Sequence, residues 1–242
     1  MQNIFSGAES YIDKRIADTE VSTEPFEHCI VDNVFPEDLF ESMHEYWPSN
    51  DVMMPISESG RTTGYKERDV MLFREDFLCK LSHRQIEFWT SLRLTICGFA
   101  VIKRLVGKFA SVVMPRVGHL GPDVPIESEL LVISDRDSYA IGPHTDTNRR
   151  LISVLFYLSK DPEYASYGTG LYQPLDPHTK FRHDGHYGFE HFKLHSRVDY
   201  KPNRCVAFPR SDRSFHGVEP VPIANCDRRL LIVNIRAPEG AV

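Results

Sequence analysis

Hydrophobic and polar positions follow two different periods along this chain, and the change falls near its middle. After Pro36-Glu37-Asp38, a proline followed by acids of the kind that open a helix, Leu39, Phe40, Met43, Tyr46 and Trp47 recur at helical spacing. From Ser49 to Lys80 the pattern breaks. Ser57, Gly60, Thr62, Thr63 and Gly64 predict a mobile loop there, part of which is expected to edge a functional site. Helical spacing returns over 82–109 through Ile86, Trp89, Leu92, Leu94, Ile96, Phe99 and Ile102, with Gly98 and Gly107 as points of interruption.

Further on the period becomes two. Residues 129–134, 151–158, 204–208 and 230–235 read as strands, as does His28 to Phe35 nearer the start. Helices first and many short strands afterwards predict a mainly β fold with supporting helices, a double-sheet jelly-roll core braced by N-terminal helices. No repeat, low-complexity tract or Pro/Gly/Ser-rich linker divides the 242 residues, so residues 1–242 are expected to form a single domain. Residues 1–24 are polar and predict a loosely held lead-in with a short helix.

Composition narrows the function classes. A net charge of −6 gives no electrostatic reason to expect a nucleic-acid partner, because phosphate binding needs a basic face. Cys29, Cys79, Cys97, Cys205 and Cys226 are odd in number, widely spaced and without a CxxC pair. They predict free thiols in a reducing compartment. No apolar run is long enough for a membrane span, and Asp13, Lys14, Arg15, Asp18 and Glu20 stand where a signal peptide needs an apolar block. The expectation is a soluble cytoplasmic protein without membrane contact; oligomeric state is not encoded in any pattern here.

The candidate chemistry sits at Gly142-Pro143-His144-Thr145-Asp146, just before the apolar run 151–158. In extended backbone a His and an Asp two positions apart point the same way, so an imidazole nitrogen and a carboxylate oxygen can hold one metal ion. Ser214-Phe215-His216-Gly217-Val218 offers a second imidazole far downstream. Two His and one carboxylate leave the remaining coordination positions open, which suits non-haem Fe(II) that must bind a cosubstrate and O₂.

Taken with their flanks, these segments resemble the 2-oxoglutarate- and Fe(II)-dependent oxygenases, notably the branch of prolyl hydroxylases and related small-molecule hydroxylases. The resemblance runs from about Pro25 to Pro238. It rests on Pro25-Phe26-Glu27-His28-Cys29-Ile30-Val31-Asp32-Asn33-Val34-Phe35-Pro36, on His144-x-Asp146, on Gly168-Thr169-Gly170-Leu171, on His216-Gly217-Val218-Glu219-Pro220-Val221 and on an Arg opening the last strand. It implies a double-stranded β-helix of cupin-like type with His144, Asp146 and His216 as iron ligands. It also implies 2-oxoglutarate as cosubstrate and O₂ as oxidant. Its far carboxylate would then meet a buried arginine, whose planar fork makes two parallel bonds. Arg228 and Arg229 both stand at the right place; strand alternation lets only one point inward, and the pattern favours Arg228. The implied activity is a dioxygenase coupling decarboxylation of 2-oxoglutarate, to succinate and CO₂, with hydroxylation or a related C–H oxidation of a small-molecule or peptide substrate.

The interval between the two ligand histidines is long, and the extra length falls in 172–200, read as an insertion near the substrate mouth. His178, His183, His186, His191 and His195 lie within it. His183-x-x-His186 has metal-ligand spacing, but no Cys or carboxylate completes a pattern, so a polar insertion is the preferred reading. Tyr139 is either a hydrogen-bond donor to the cosubstrate or an ordinary rim tyrosine. Arg149 and Arg150 either greet an anionic substrate or are solvated, and Asn234 faces either the metal pocket or solvent. Two rival functions fit the same fold: a cupin-like isomerase or hydrolase using the ion as Lewis acid, and a non-catalytic jelly-roll binding module. Neither needs the terminal arginine.

Overall fold

The computed structural model describes residues 4–121, 125–179, 181 and 185–241. In chain order its helices are α1 (Ala8–Asp18), α2 (Glu37–Glu45), α3 (Glu75–Leu78), α4 (His83–Ile96), α5 (Phe99–Lys108) and α6 (Ala110–Val117). Its strands are β1 (Cys29–Asp32), β2 (Met54–Pro55), β3 (Arg68–Leu72), β4 (Glu127–Asp135), β5 (Ile141–His144), β6 (Arg150–Tyr157), β7 (Thr169–Pro174), β8 (Phe192–Val198), β9 (Arg204–Pro209), β10 (His216–Val218) and β11 (Arg228–Arg236). They form a seven-stranded sheet in the order β1-β9-β6-β11-β4-β3-β2 and a four-stranded sheet in the order β5-β10-β7-β8, with antiparallel neighbours throughout. Strands that alternate between the two sheets along the chain make the double-stranded β-helix that the strand pattern and the resemblance led us to expect.

The register of the larger sheet decides which residues look into the space between the sheets. Leu230 stands between Ile133 and Tyr157, Ile232 between Leu131 and Leu155, and Asn234 between Glu129 and Ser153. Directly opposed residues share a face, so these rows, and Arg228 at the start of β11, belong to the inner side. Leu230, Ile133 and Tyr157 are fully buried there.

The helices brace this sheet. Helix α4 opens on a capping box in which the Ser82 side chain accepts from the Gln85 N–H and Gln85 reaches back to the Ser82 N–H. Its buried stripe is Phe88, Trp89, Leu92 and Ile96, and Trp89 Nε1–H donates to the Tyr46 carbonyl at 2.8 Å, tying it to the end of α2. Asn203 pins the approach to β9. It sits at φ +58°, in the left-handed region, and its side-chain amide makes both bonds to the Phe35 backbone, at 2.9 and 3.0 Å.

Four segments differ from expectation. The lead-in helix is not loosely held: α1 buries Ala8, Ile12 and Ile16 completely, because three small or branched apolar residues at i, i+4 and i+8 suffice for one narrow seam. The helical stretch 82–109 divides at Gly98, which adopts extended backbone (φ −67°, ψ 160°) between α4 and α5. The broken stretch 49–80 contributes β2 and β3 to the large sheet; β2 is two residues long and β3 has only Val70, Met71 and Leu72 as apolar residues, runs too short to stand out. Finally, 172–200 is only partly an insertion, since β8 lies inside it and pairs with β7 from Thr169↔Val198 to Pro174↔Phe192. Lys193, His195 and Arg197 on β8 hide that strand in a polar sequence.

Candidate metal centre

His144 ends β5 and His216 begins β10; the two strands pair with these residues opposite each other. The imidazole centroids are 4.3 Å apart. Each ring is oriented by a backbone carbonyl two positions back: His144 Nδ1 lies 2.9 Å from Gly142 O, and His216 Nδ1 lies 3.0 Å from Ser214 O. A carbonyl only accepts, so Nδ1 carries the proton in both rings and Nε2 presents a lone pair. Gly217 lets the strands close up here, since a Cβ on it would stand 2.7 Å from the Ile141 carbonyl.

Asp146 comes from the turn after β5. Its Oδ2 accepts from Ser153 Oγ at 2.7 Å, Ser153 Oγ accepts from Arg150 Nη1 at 2.9 Å, and Arg150 Nη1 lies 3.4 Å from Asp146 Oδ1. One ligand atom from each of His144, Asp146 and His216 falls within 4.8 Å of the others, and among the described residues this is the one such His/Cys/Asp/Glu group. The electrostatics suit ligation. Burial first, then the proximity of His216, pushes the His144 imidazole well below its ordinary range; burial also lowers His216. Burial works to raise the Asp146 carboxyl, but Arg150, then the two imidazoles and the Ser153 hydroxyl, outweigh it and hold the group ionised. Two neutral imidazoles beside a carboxylate fit a divalent cation of the Fe(II) type.

A cavity of about 180 Å³ runs from this trio between the sheets. Leu131, Ile133, Leu155 and Ile232 give it apolar walls, while Tyr139, Thr169, Asn234, Arg61, Arg68 and Arg150 supply its polar groups. Arg228 lies on the same inner side as Ile232 and Asn234, fully buried, behind the cavity wall. It donates from Nε to Tyr167 O at 2.9 Å and from Nη1 to Asp135, and stacks over the Tyr200 ring at 4.8 Å. Arg229 points the other way, over Trp47, and pairs with Asp227. A second, larger cavity of about 740 Å³ is lined by Thr145, which stands between two of the trio in sequence, and by Tyr172, Phe181 and Phe215; none of the trio is in its lining.

The other sequence candidates separate clearly. Tyr139 is completely buried, and its hydroxyl has no partner among the described residues. Asn234 is buried and faces the cavity, its Nδ2 bonded to Glu129 at 3.2 Å and its Oδ1 unpartnered. Arg149 is occupied by Ala237 O and Glu127, and Arg150 belongs to the Asp146 network. His178, His191 and His195 are exposed and apart from the trio, whereas His183 and Asp184 lie outside the described residues. His186 bonds to the Tyr65 hydroxyl, and its ring packs edge-on against His144 at 4.4 Å. Sequence reasoning passed over Ser153, Arg68 and Asp135. Ser153 was legible as the lone serine in an apolar strand; Arg68 lay in a stretch read as loop.

Residues 130–236 match the sequence model of the 2OG-Fe(II) oxygenase superfamily. No curated protein matches the chain in sequence. Among solved structures it is similar to a prolyl hydroxylase from Trichoplax adhaerens, in complex with a hypoxia inducible factor oxygen degradation domain peptide fragment. The TM-score is 0.56 at 15% identity, covering 98% of this chain and 91% of that one. It is also similar to a prolyl 4-hydroxylase from Phytophthora capsici, with a TM-score of 0.55 at 13% identity, covering 98% of this chain and 67% of that one. At these identities the likeness speaks for the fold.

Proposed function

We propose that this chain, whose residues 130–236 match the 2OG-Fe(II) oxygenase superfamily model, acts as a 2-oxoglutarate-dependent dioxygenase with His144, Asp146 and His216 as its iron ligands and Arg228 as a partner of the far carboxylate of 2-oxoglutarate. One observation carries this reading: three donor atoms from two remote segments converge within 4.8 Å at the mouth of a cavity. When bound, Fe(II) with O₂ supplies the oxidative decarboxylation of 2-oxoglutarate, to succinate and CO₂, and the oxidation of a substrate C–H bond. The protein's part is positional. Gly142 and Ser214 carbonyls hold the imidazoles so that Nε2 faces the ion. Ser153 and Arg150 hold Asp146, the apolar walls exclude water, and Arg228 supplies buried positive charge.

The family acts on small molecules or peptides, and the roomier cavity beside Thr145, walled by Tyr172, Phe181 and Phe215, supports that side as the place of the prime substrate. A chain of net charge −6 supports no nucleic-acid partner. Among the described residues no helix is long and apolar enough to cross a membrane. Five free cysteines support a reducing compartment, the cytoplasm. A core cluster drawing residues from Ala8 to Ala237 supports one catalytic domain over 1–242.

Anaerobic titration of the metal-free protein with Fe(II) and 2-oxoglutarate tests the reading, because a chelated keto acid gives a visible charge-transfer band. The wild type develops the band and releases succinate in air, whereas His216→Ala and Asp146→Ala keep their far-UV circular dichroism and do neither. A band of full intensity in both variants removes these residues from the site.

A further inference from the structure

The inner end of the 180 Å³ cavity carries an imbalance of charge. Arg68 of β3, Asp135 of β4 and Arg228 of β11 stand in one cross-strand row. Asp135 accepts from Arg68 Nε at 2.6 Å and Nη2 at 3.0 Å, and from Arg228 Nη1. Asp135 and Arg228 are fully buried, and the Arg68 side chain is 12% exposed. Among the described residues, both guanidinium groups pair with this one carboxylate alone. Asp69, next to Arg68, points to the opposite side of β3, where Arg136 takes it. Two cations and one anion leave a single positive charge in a place nearly closed to water, an arrangement that costs folding free energy unless a further anion arrives.

The hydrogen-bonding groups tell the same story. Among the described residues, Arg228 Nη2 is buried without a partner, and so is the Tyr139 hydroxyl. The Arg68 guanidinium lies 4.1 Å over the Tyr139 ring, and both side chains line the cavity that reaches the metal trio. With Nε and Nη2 given to Asp135, Arg68 has Nη1 left to donate. Buried donors without acceptors are uncommon in folded proteins, and two of them beside a guanidinium with a donor to spare describe a missing anionic acceptor.

We propose that Arg68, from a strand outside the superfamily match at 130–236, is a specificity-determining residue: with Arg228 and the Tyr139 hydroxyl it receives the distal carboxylate of 2-oxoglutarate. Asp135 is a positioning residue that holds the two guanidinium groups side by side. The inference rests on the proposed binding of 2-oxoglutarate at the metal trio. It makes the pocket select dicarboxylic keto acids over monocarboxylic ones through a charge that a single arginine would not leave over.

The test is calorimetric titration of Ni(II)-loaded protein, which does not turn over, with 2-oxoglutarate and with pyruvate, a keto acid that lacks the distal carboxylate. Arg68→Met is expected to weaken 2-oxoglutarate at least tenfold while pyruvate and Ni(II) affinities stay within twofold. Tyr139→Phe, which removes one hydroxyl with no partner in the protein, is expected to weaken 2-oxoglutarate several-fold and serves if Arg68→Met does not fold. Wild-type 2-oxoglutarate affinity in the folded Arg68→Met protein, or in Tyr139→Phe should Arg68→Met not fold, overturns the inference; so does an equal loss for both keto acids. If Arg68→Met is unaffected but Arg228→Met loses binding, this inference alone fails. A wild-type protein that binds Ni(II) but no 2-oxoglutarate brings down the proposed function with it.

Discussion

Ser153 offers a measurement of how much the protein invests in holding a ligand rather than in supplying one. Its hydroxyl donates to Asp146 Oδ2 at 2.7 Å while accepting from Arg150 Nη1 at 2.9 Å, so it separates the carboxylate from a cation 3.4 Å away from the other oxygen. In Ser153→Ala the carboxylate loses a charge-assisted bond worth about 1.5–3 kcal/mol and is free to turn onto Arg150, which competes with the metal. At about 1.4 kcal/mol per tenfold, metal affinity falls roughly 10- to 100-fold, the usual range for partners that orient a ligand. Ser153 is 3% exposed on an inner strand position, where a β-branched residue is well accommodated, so Ser153→Thr keeps the hydroxyl and should restore tight binding. The assay is calorimetric titration of metal-free protein with Ni(II), with urea melts to confirm equal folding. A Ser153→Ala dissociation constant within threefold of wild type would refute the reasoning, because Arg150 and Asp146 would then not need their separator.

Other consequences are open to direct measurement. Arg229→Ala should leave the KM for 2-oxoglutarate within twofold, since that side chain lies outside over Trp47; a tenfold rise would reverse the assignment of the inward arginine. Asn203→Ala strands both polar groups of the buried Phe35 backbone and puts alanine at φ +58°, so urea melts should show a loss of about 3–5 kcal/mol. Asn203→Gly should recover roughly 1 kcal/mol of that, and equal stabilities for the two variants would dismiss the backbone share. The metal-free protein should lose stability as pH falls below about 6.5. His28, His144 and His216 have folded pKa values lowered first by burial, so in that range the unfolded chain binds more protons than the folded one. The loss is on the order of 1 kcal/mol per histidine per pH unit until each folded pKa is passed, and a flat profile between pH 7.5 and 5.5 contradicts it.

The chain's own pattern carried more of the architecture than of the pocket. Continuous apolar runs such as Leu151–Leu158 and Leu230–Ile235 announce central strands because both of their faces are covered. β8 escaped notice for the opposite reason: it lies at an edge, with Lys193, His195 and Leu194 turned outward. The His-x-Asp pair stood out through its spacing together with the strand that follows it and the downstream His216 segment. Strand parity let only one of Arg228 and Arg229 point inward, the resemblance favoured Arg228, and the structure puts the first inside and the second outside. What lay beyond reach was the row through Arg68 and Asp135. Its members are separated by scores of residues and adjoin only through the register of three strands, a quantity that no local period encodes.

The rims of the two sheets bear on how a polypeptide could be gripped. β2 is two residues long and ends in Pro55, which has no N–H to offer a newcomer. The free side of β5 is already taken by the Tyr187 N–H, which donates to the Pro143 carbonyl at 3.1 Å. β8 brings Lys193 and Arg197 to its border, and β1 spans four residues. A peptide substrate therefore finds little open backbone to zip onto, and recognition falls to its side chains and to the hollow next to Thr145. Residue identity around the reacting carbon, more than extended shape, should decide what this enzyme accepts.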